Sequence, residues 1–392
     1  MSVIVHSARV VDGGVVTENG WIRFDGGRVS ASGIGDTWRE EGGVAEAIDA
    51  TDAAGPGAVL TPGFIDLHGH GGGGFAYDDG ADAIRAARAV HRAHGTTRAV
   101  VSLVTAGLDV LAERVRTVAA LTRTDPDVLG SHLEGPFLDL GHKGAHDPAL
   151  LRSPTPAALD ALLEAGAGTV RQVTLAPELP GGLDAVRRVV AAGAAAAVGH
   201  TGADYATARA AFDAGATILT HAFNAMPALH HRLPGPVGAA VSDGRVTIEA
   251  IADGVHLHPS VLRMLAASAP GRIALITDAM AAACAPDGHY RLGTLDVDVE
   301  HGVAHVAGTT TIAGSTLTQD AALRIAVDAG VPLGAAVHAV TRAPAAAIGR
   351  HDLGHFGAGA AADAVLLDAD LRVHRVWFAG SPLLAAPLPV VE

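Results

Sequence analysis

Histidines and carboxylates recur in this chain at the ends of short apolar runs: Asp66-Leu-His68-Gly-His70, His132-Leu-Glu134-Gly-Pro, Gly199-His200, Thr220-His221 and Thr277-Asp278-Ala. Imidazole and carboxylate donors together suit a divalent metal, with zinc first and iron(II) as the alternative. A metal so held acidifies water, and a neighbouring carboxylate can take the proton, so the chemistry this set implies is hydrolysis. Each pair alone is weak. A lone histidine at a strand end is more often a hydrogen-bonded structural residue, Glu134 before Gly-Pro could cap a turn, and Asp278 could cap the next loop. With 21 histidines in 392 residues, about one H-x-H is expected by chance. The chain has His68/His70 and His256/His258. The argument rests on five coincidences at strand ends.

The elements that position these residues are clearest in VGHTGADYATARAAFDAGATILTHAFNAM, Val198 to Met226. A small apolar strand (194–198) ends at His200. A helix (204–214) follows, opened by Asp204 as N-cap and closed by Gly215, and a second strand (216–220) ends at His221. Such a unit is a parallel βαβ crossover, which brings both histidines to one rim. The same alternation runs from Leu60 onward. Strands are predicted at 63–68, 98–103, 129–134, 170–175, 194–198, 216–220, 247–252 and 272–277. Helices between them show 3–4 spacing, as at Leu111, Val115, Val118 and Leu121. Two more helices are predicted at 316–329 and 333–348.

Near-continuous apolar strands covered by helices indicate a parallel sheet, and eight of them favour a closed (β/α)8 TIM-type barrel in the α/β class. In a barrel the strand ends converge on one mouth. Residues 1–60 instead alternate β-type runs with Gly-Gly and Asp-Gly turns, and the last segment resembles them. The expectation is a small β-sandwich domain from 1–60 plus 355–392, with the barrel, 61–354, inserted between. The run Gly71–Gly74 lacks the strand–GxGxxG–helix setting of a phosphate cradle and reads as a flexible loop.

Composition narrows the classes further. A net charge of −14 with 17% charged residues argues against nucleic acid and against an anionic membrane surface. The longest apolar run, 189–199, is too short to span a bilayer, and the N-terminus lacks the basic and apolar regions of a signal peptide. The single cysteine, Cys284, forms no internal disulfide, as suits a reducing compartment. The expectation is a cytoplasmic protein whose anionic ligands need a local basic pocket.

The motifs PGFIDLHGHGG, HLEGPF, KGAHDP, VGHTGA, THAFNAM, RLPGPVGA, IADGVH, TDAM and IAGSTLT stand in an order that resembles the amidohydrolase superfamily, specifically its N-acetylglucosamine-6-phosphate deacetylases. The resemblance covers nearly the whole chain, and THAFNAM and IADGVH are its most diagnostic parts. It implies hydrolysis of the acetamide of N-acetylglucosamine 6-phosphate, in amino-sugar catabolism or cell-wall sugar recycling. By the same resemblance Glu134, His200 and His221 bind the principal metal and Asp278 is the general acid/base. His68 and His70 match an H-x-H that supplies a second metal in some members, giving one or two metals per subunit.

The resemblance also places His146, beside Ala145, near the acetyl carbonyl. Asn224, Ala225 and the loop Ile312-Ala313-Gly314 match substrate contacts. Asp253-Gly254-Val255-His256 matches the segment that holds the phosphate ester. Arg232 matches an arginine that reaches the neighbouring subunit's substrate, which implies a homodimer. Cys284 stands in a flap where a smaller or non-thiol residue is expected. Cyclic-amide hydrolases of the superfamily bridge two metals through a strand-four lysine. Here that strand is followed by Ala-Pro-Glu, and the only lysine, Lys143, lies after strand three. That disfavours the dihydroorotase-like reading and gives Glu134 the bridging place. The galactosamine epimer is the alternative substrate, and a non-catalytic binding homologue is disfavoured because the full set of ligands and the base are retained.

Overall fold

The computed structural model describes residues 2–383, so the part of the expected terminal domain at 384–392 lies outside the described residues. Eight parallel strands form the inner sheet: β1 (Phe64–Asp66), β2 (Thr96–Val104), β3 (Val128–Glu134), β4 (Val170–Leu175), β5 (Ala195–Val198), β6 (Ile218–Leu219), β7 (Thr247–Ile251) and β8 (Ile273–Ile276). They pair in chain order from β1 to β8, and every one falls within or overlaps a sequence-predicted strand. The seam between β8 and β1 is nearly closed. There the Asp278 N–H donates to the His68 carbonyl at 2.8 Å, and the His70 N–H to the Ala279 carbonyl at 2.6 Å. The Thr277 hydroxyl donates to Asp66 Oδ2 at 2.6 Å.

The outer helices are α1 (Ala81–Ala93), α2 (Leu108–Thr124), α3 (Pro156–Ala165), α4 (Gly182–Ala191), α5 (Tyr205–Asp213), α6 (Gly235–Val241), α7 (Pro259–Ser268), α8 (Gln319–Asp328), α9 (Leu333–Val340) and α10 (Arg342–Ala347). Their starts follow local chemistry. The Asp204 side chain caps α5 by accepting from the Thr207 N–H at 2.8 Å. Thr155 caps α3, whose first residue is Pro156. The α2 stripe Leu111, Val115, Val118 and Leu121 is buried against the strands, as its spacing requires.

The helix expected at 333–348 is two, broken at Thr341. Pro344 has no N–H to give and its ring would strike the carbonyl four residues earlier, so it belongs to the first turn of a new helix. The glycine run is also tighter than expected. Gly71–Gly72 pairs antiparallel with Phe75–Ala76 around a turn at Gly73 and Gly74, whose φ values are 63° and 89°. Gly71 and Gly72 are buried, and the His91 Nε2–H donates to the Gly71 carbonyl at 2.8 Å. The segment is therefore a fixed hairpin and not a loose loop.

The chain termini meet in a second, eight-stranded sheet. It joins the strands Val3–Asp12, Val15–Asp25, Arg28–Ile34, Glu46–Asp49 and Val59–Pro62 to Ala364–Leu367, Val373–Phe378 and Ser381–Pro382. This sheet encloses its own apolar cluster, including Val5, Ile22, Phe24, Leu60, Leu366 and Trp377. A three-stranded sheet at 288–306 follows β8 and overhangs the barrel mouth.

Candidate metal centre and substrate cleft

All five predicted motifs converge at the C-terminal rim of the barrel. Register sets Glu134 opposite Val104 on β2 and Thr174 on β4. From there its carboxylate meets imidazoles carried by three strand ends. Glu134 Oε1 lies 3.1 Å from His200 Nε2, 3.3 Å from His221 Nε2 and 3.1 Å from His68 Nε2. Glu134 Oε2 lies 3.1 Å from His70 Nε2 and 3.6 Å from His146 Nε2. Asp278 Oδ1 approaches from β8, 3.2 Å from His70 Nε2 and 3.5 Å from His68 Nε2. Every one of these side chains is buried.

The hydrogen bonds behind the rings assign their tautomers. His200 Nδ1–H donates to the His142 carbonyl at 3.0 Å, and His68 Nδ1–H faces Glu249 Oε2 at 3.4 Å. In both rings the Nε2 lone pair then points at the carboxylate and at its neighbours. His200 and His221 bring Nε2 atoms to 3.0 Å of each other, and His68 and His70 to 3.2 Å. Lone pairs this close repel unless a proton or a cation lies among them. The spacing fits a cation: tetrahedral ligands bound at 2.0–2.1 Å stand about 3.3 Å apart. His68, His70 and Asp278 form one compact donor triad, and Glu134, His146 and His200 another, with His221 beside the second. The donor set suits a divalent ion on each side of Glu134.

As protein groups alone, the cluster shows strong charge coupling. Burial pulls the Asp278 pKa up, but His68 and His70 overcome it and hold it down to about 2. Burial also disfavours the Glu134 anion, yet the imidazoles around it keep its pKa well below the ordinary value. His70 loses charge stability through burial and regains more from Asp278 and Glu134, rising to about 9. His146 is pushed down to about 3 by burial and by His200, and so is neutral. Two carboxylates and several imidazoles in one dry site are the arrangement in which a cation is most strongly held.

Backbone geometry shows the strain this convergence requires. His200, His221, Ala225 and Asp278 take positive φ values of 46°, 25°, 49° and 50°. L-residues rarely adopt that region, and such residues concentrate at functional sites. Gly199 precedes His200 for a steric reason: an added Cβ would lie 2.6 Å from Thr220 Cβ and 2.9 Å from Thr174 Cγ2.

Above the donors opens a cavity of about 280 Å³. The sequence-predicted residues His70, Glu134, Ala145, His146, His200, His221, Asn224, Ala225, His256, Asp278, Ile312 and Gly314 line it. His68 lies beneath, fully buried, and Ala313 is buried behind its neighbours. Asp253 supports rather than lines: its carboxylate accepts from His256 Nδ1–H at 2.7 Å and from the N–H groups of Val255 and His256, each at 2.8 Å. Gly254 and Val255 complete that turn outside the cavity, with Val255 exposed. Arg232 does not line its own chain's cleft. It sits exposed on the loop after β6, with its guanidinium 2.8 Å from His231 Nε2.

The structure adds residues that sequence reading passed over. Val104, Gly144, Leu292, Thr310 and Thr311 also face the cavity. Beneath it lies a fully buried polar layer in which His132, already part of the His132-Leu-Glu134 motif, is joined by Ser102, Gln172, Thr174 and Glu249. Gln172 Nε2 donates to Glu249 Oε1 at 2.8 Å, which leaves Oε2 for His68. His132 joins Ser102 at 2.9 Å and Thr174 at 2.8 Å. Polar side chains are therefore not confined to the strand ends, as the apolar reading of the strands implied. The signal was present: Glu249 interrupts the apolar run of β7 at an inward-facing position.

Residues 59–384 match the Amidohydrolase family. The N-acetylgalactosamine-6-phosphate deacetylase of Escherichia coli O157:H7 is 41% identical over 328 residues, 82% of this chain and 87% of that one. The N-acetylglucosamine-6-phosphate deacetylase of Danio rerio is 37% identical over 82% of this chain and 83% of its own. Among solved structures, a mutant N-acetyl-D-glucosamine-6-phosphate deacetylase from Mycobacterium smegmatis, in complex with N-acetyl-D-glucosamine-6-phosphate, superposes with a TM-score of 0.91. It is 44% identical, and the match covers 97% of this chain and 98% of that one.

Proposed function

The chain belongs to the amidohydrolase family, and on that premise we propose that it hydrolyses the acetamide of N-acetyl-D-glucosamine 6-phosphate. The products are D-glucosamine 6-phosphate and acetate, in amino-sugar metabolism. One observation carries this reading: Asp278, an ionised carboxylate outside the Glu134–His200–His221 set, stands on the floor of the same cleft that His256 lines.

Glu134, His200 and His221 would hold the principal divalent metal, zinc by the chemistry of the donors, and His68 with His70 a second one. When bound, such an ion lowers the pKa of water and polarises a carbonyl. Asp278 takes the proton of the attacking water as the carbon–oxygen bond forms at the acetyl carbonyl. It then returns that proton to the sugar nitrogen, without which the amine is a poor leaving group. His146 faces the carbonyl side. Its Nδ1 lies 2.9 Å from Thr105 Oγ1. That hydroxyl donates to the Glu134 carbonyl at 3.2 Å and so accepts from His146 Nδ1–H, and the neutral ring turns its Nε2 lone pair toward the Glu134 and His200 donors. Asn224, Ala225 and the Ile312–Gly314 loop bound the sugar.

His256 serves the phosphate. Burial lowers its pKa, but Asp253 more than offsets this and raises it, so the ring is poised as a cation where the ester arrives. Arg232 supplies the second positive group from a neighbouring subunit, in a homodimer. Its distance from its own cleft supports that arrangement. Among the described residues no helix is long and apolar enough to cross a membrane, and the cytoplasm is the compartment this chemistry suits.

The test is acetate release by metal-loaded protein on N-acetylglucosamine 6-phosphate and on its galactosamine epimer. The galactosamine reading is kept because the Escherichia coli relative bears that name. Higher kcat/KM on the gluco substrate is expected. The reverse preference moves the assignment to the epimer, and no release from either refutes it.

A further inference from the structure

A second constellation of reactive side chains lies outside the metal centre. Cys284 is exposed on the loop between β8 and the overhanging three-stranded sheet. Its Sγ is 3.4 Å from His94 Nε2, and His94 Nδ1 is 3.1 Å from Asp320 Oδ1. The three residues come from distant parts of the fold: the loop after β8, the C-cap of α1 and the first turn of α8. Nucleophile, base and orienting carboxylate stand in a line, the relation that activates a nucleophile. His94 uses opposite ring nitrogens for its two partners, so the set is a relay and not a common ligand shell.

The surroundings fix each member. Asp320 is buried and receives the Thr318 hydroxyl at 2.6 Å on Oδ1 and Arg324 Nη1 at 2.9 Å on Oδ2. The sulfur's loop is pinned by Gly73 and Gly74, whose N–H groups donate to the carbonyls of Ala283 and Ala281 at 2.7 and 2.8 Å. Cys284 itself takes a φ of 58°. The hydrogen bonds to Asp320 and to the sulfur outweigh burial and raise the His94 pKa to about 10. Behind His94 stand Asp320 and, bonded to it, Arg324.

We propose that Cys284, His94 and Asp320 form a reactive-thiol site that takes low-molecular-weight disulfides and becomes a mixed disulfide. The Cys284 sulfur, having given its proton to His94, attacks one sulfur of the small disulfide. A new S–S bond forms, the old one breaks, and the departing thiolate leaves with the proton that His94 carried. One disulfide is exchanged for another, so no further oxidant is needed. Half of the small disulfide stays on the protein and half is released as thiol.

The test follows adduct formation with oxidised glutathione at pH 7 by intact-protein mass, with metal-loaded protein. The native chain is expected to gain one adduct, at least about threefold faster than the same chain unfolded in urea, where the thiol has no partner. Cys284→Ser is expected to gain none and to keep full acetate release. His94→Gln is expected to fall to the unfolded-chain rate while its acetate release shows that it is folded. Asp320→Asn is expected to slow the reaction less. A native rate no higher than that of the unfolded chain overturns the proposal. So does a folded His94→Gln that reacts like the native protein.

Discussion

Replacing Asp278 by asparagine separates metal binding from proton transfer. The carboxylate lies 3.2 Å from His70 Nε2 and 3.5 Å from His68 Nε2, and these rings hold it ionised down to about pH 2. At neutral pH it is therefore a proton acceptor in every molecule. Asparagine keeps the shape and one acceptor oxygen but cannot take up or return a proton. A positioned acid/base contributes about 10²–10⁴ in rate, or roughly 3–5.5 kcal/mol of barrier. Asp278→Asn should lose that factor in kcat while KM changes less than about threefold, since the loss falls on the transition state. Glu134, His200 and His221 converge without Asp278, so at least one metal equivalent should remain. Acetate release under saturating substrate, beside elemental analysis of the same sample, measures both. A variant with kcat within tenfold of wild type refutes the acid/base role. A variant that loses all its metal refutes the division of labour.

Three further outcomes test the supporting structure. Glu249→Gln replaces the carboxyl group behind His68 with an amide and should weaken metal binding about 10–100-fold, as measured by competition with a chelator; unchanged affinity would show that Glu249 only fills space. Burial, aided by Arg88, depresses the His91 pKa from 6.5 to about 4, so its neutral form adds stability that is complete above pH 6.5 and lost as pH falls toward 4. In urea unfolding, wild type should lose about 1 kcal/mol more than His91→Gln between pH 6.5 and 5.5, and equal losses would refute the assignment. Chelation should speed amide exchange at His70 and Asp278, which bond across the β8–β1 seam, more than at the amides of β3 and β4. A uniform change along the barrel would refute a metal-fastened seam.

Much of this architecture was legible because two periodicities were clean. The helix at 204–214 declared itself through the Asp204 cap and Gly215, and it appears as Tyr205–Asp213. The strands ending at Glu134, His200 and His221 could be placed from short apolar runs alone, and strand ends in a barrel must share one rim. The break at Thr341 was hidden because alanine-rich sequence on both sides masked Pro344 as an interior residue. The glycine hairpin was missed because its fixity comes from elsewhere: His91 holds the Gly71 carbonyl, and Ala281 and Ala283 accept from the turn. No local pattern announces a partner twenty or two hundred residues away.

The buried polar layer shows a deeper limit. Gln172, Thr174 and Glu249 sit on strands that read as apolar core, and each is fully buried. An unpaired polar group there would cost several kcal/mol. Gln172 Nε2 pairs with Glu249, and Thr174 with His132 and Thr220, while Gln172 Oε1 is left without a partner; Glu249 in turn orients His68, whose other nitrogen enters the donor cluster. The layer can be explained only from the site downward. Once His68 must present Nε2 to the cleft, something beneath must accept its Nδ1–H, and an inward-facing position on β7 is where that acceptor stands. The chemistry at the rim therefore sets residue choice one layer deeper than the residues that perform it.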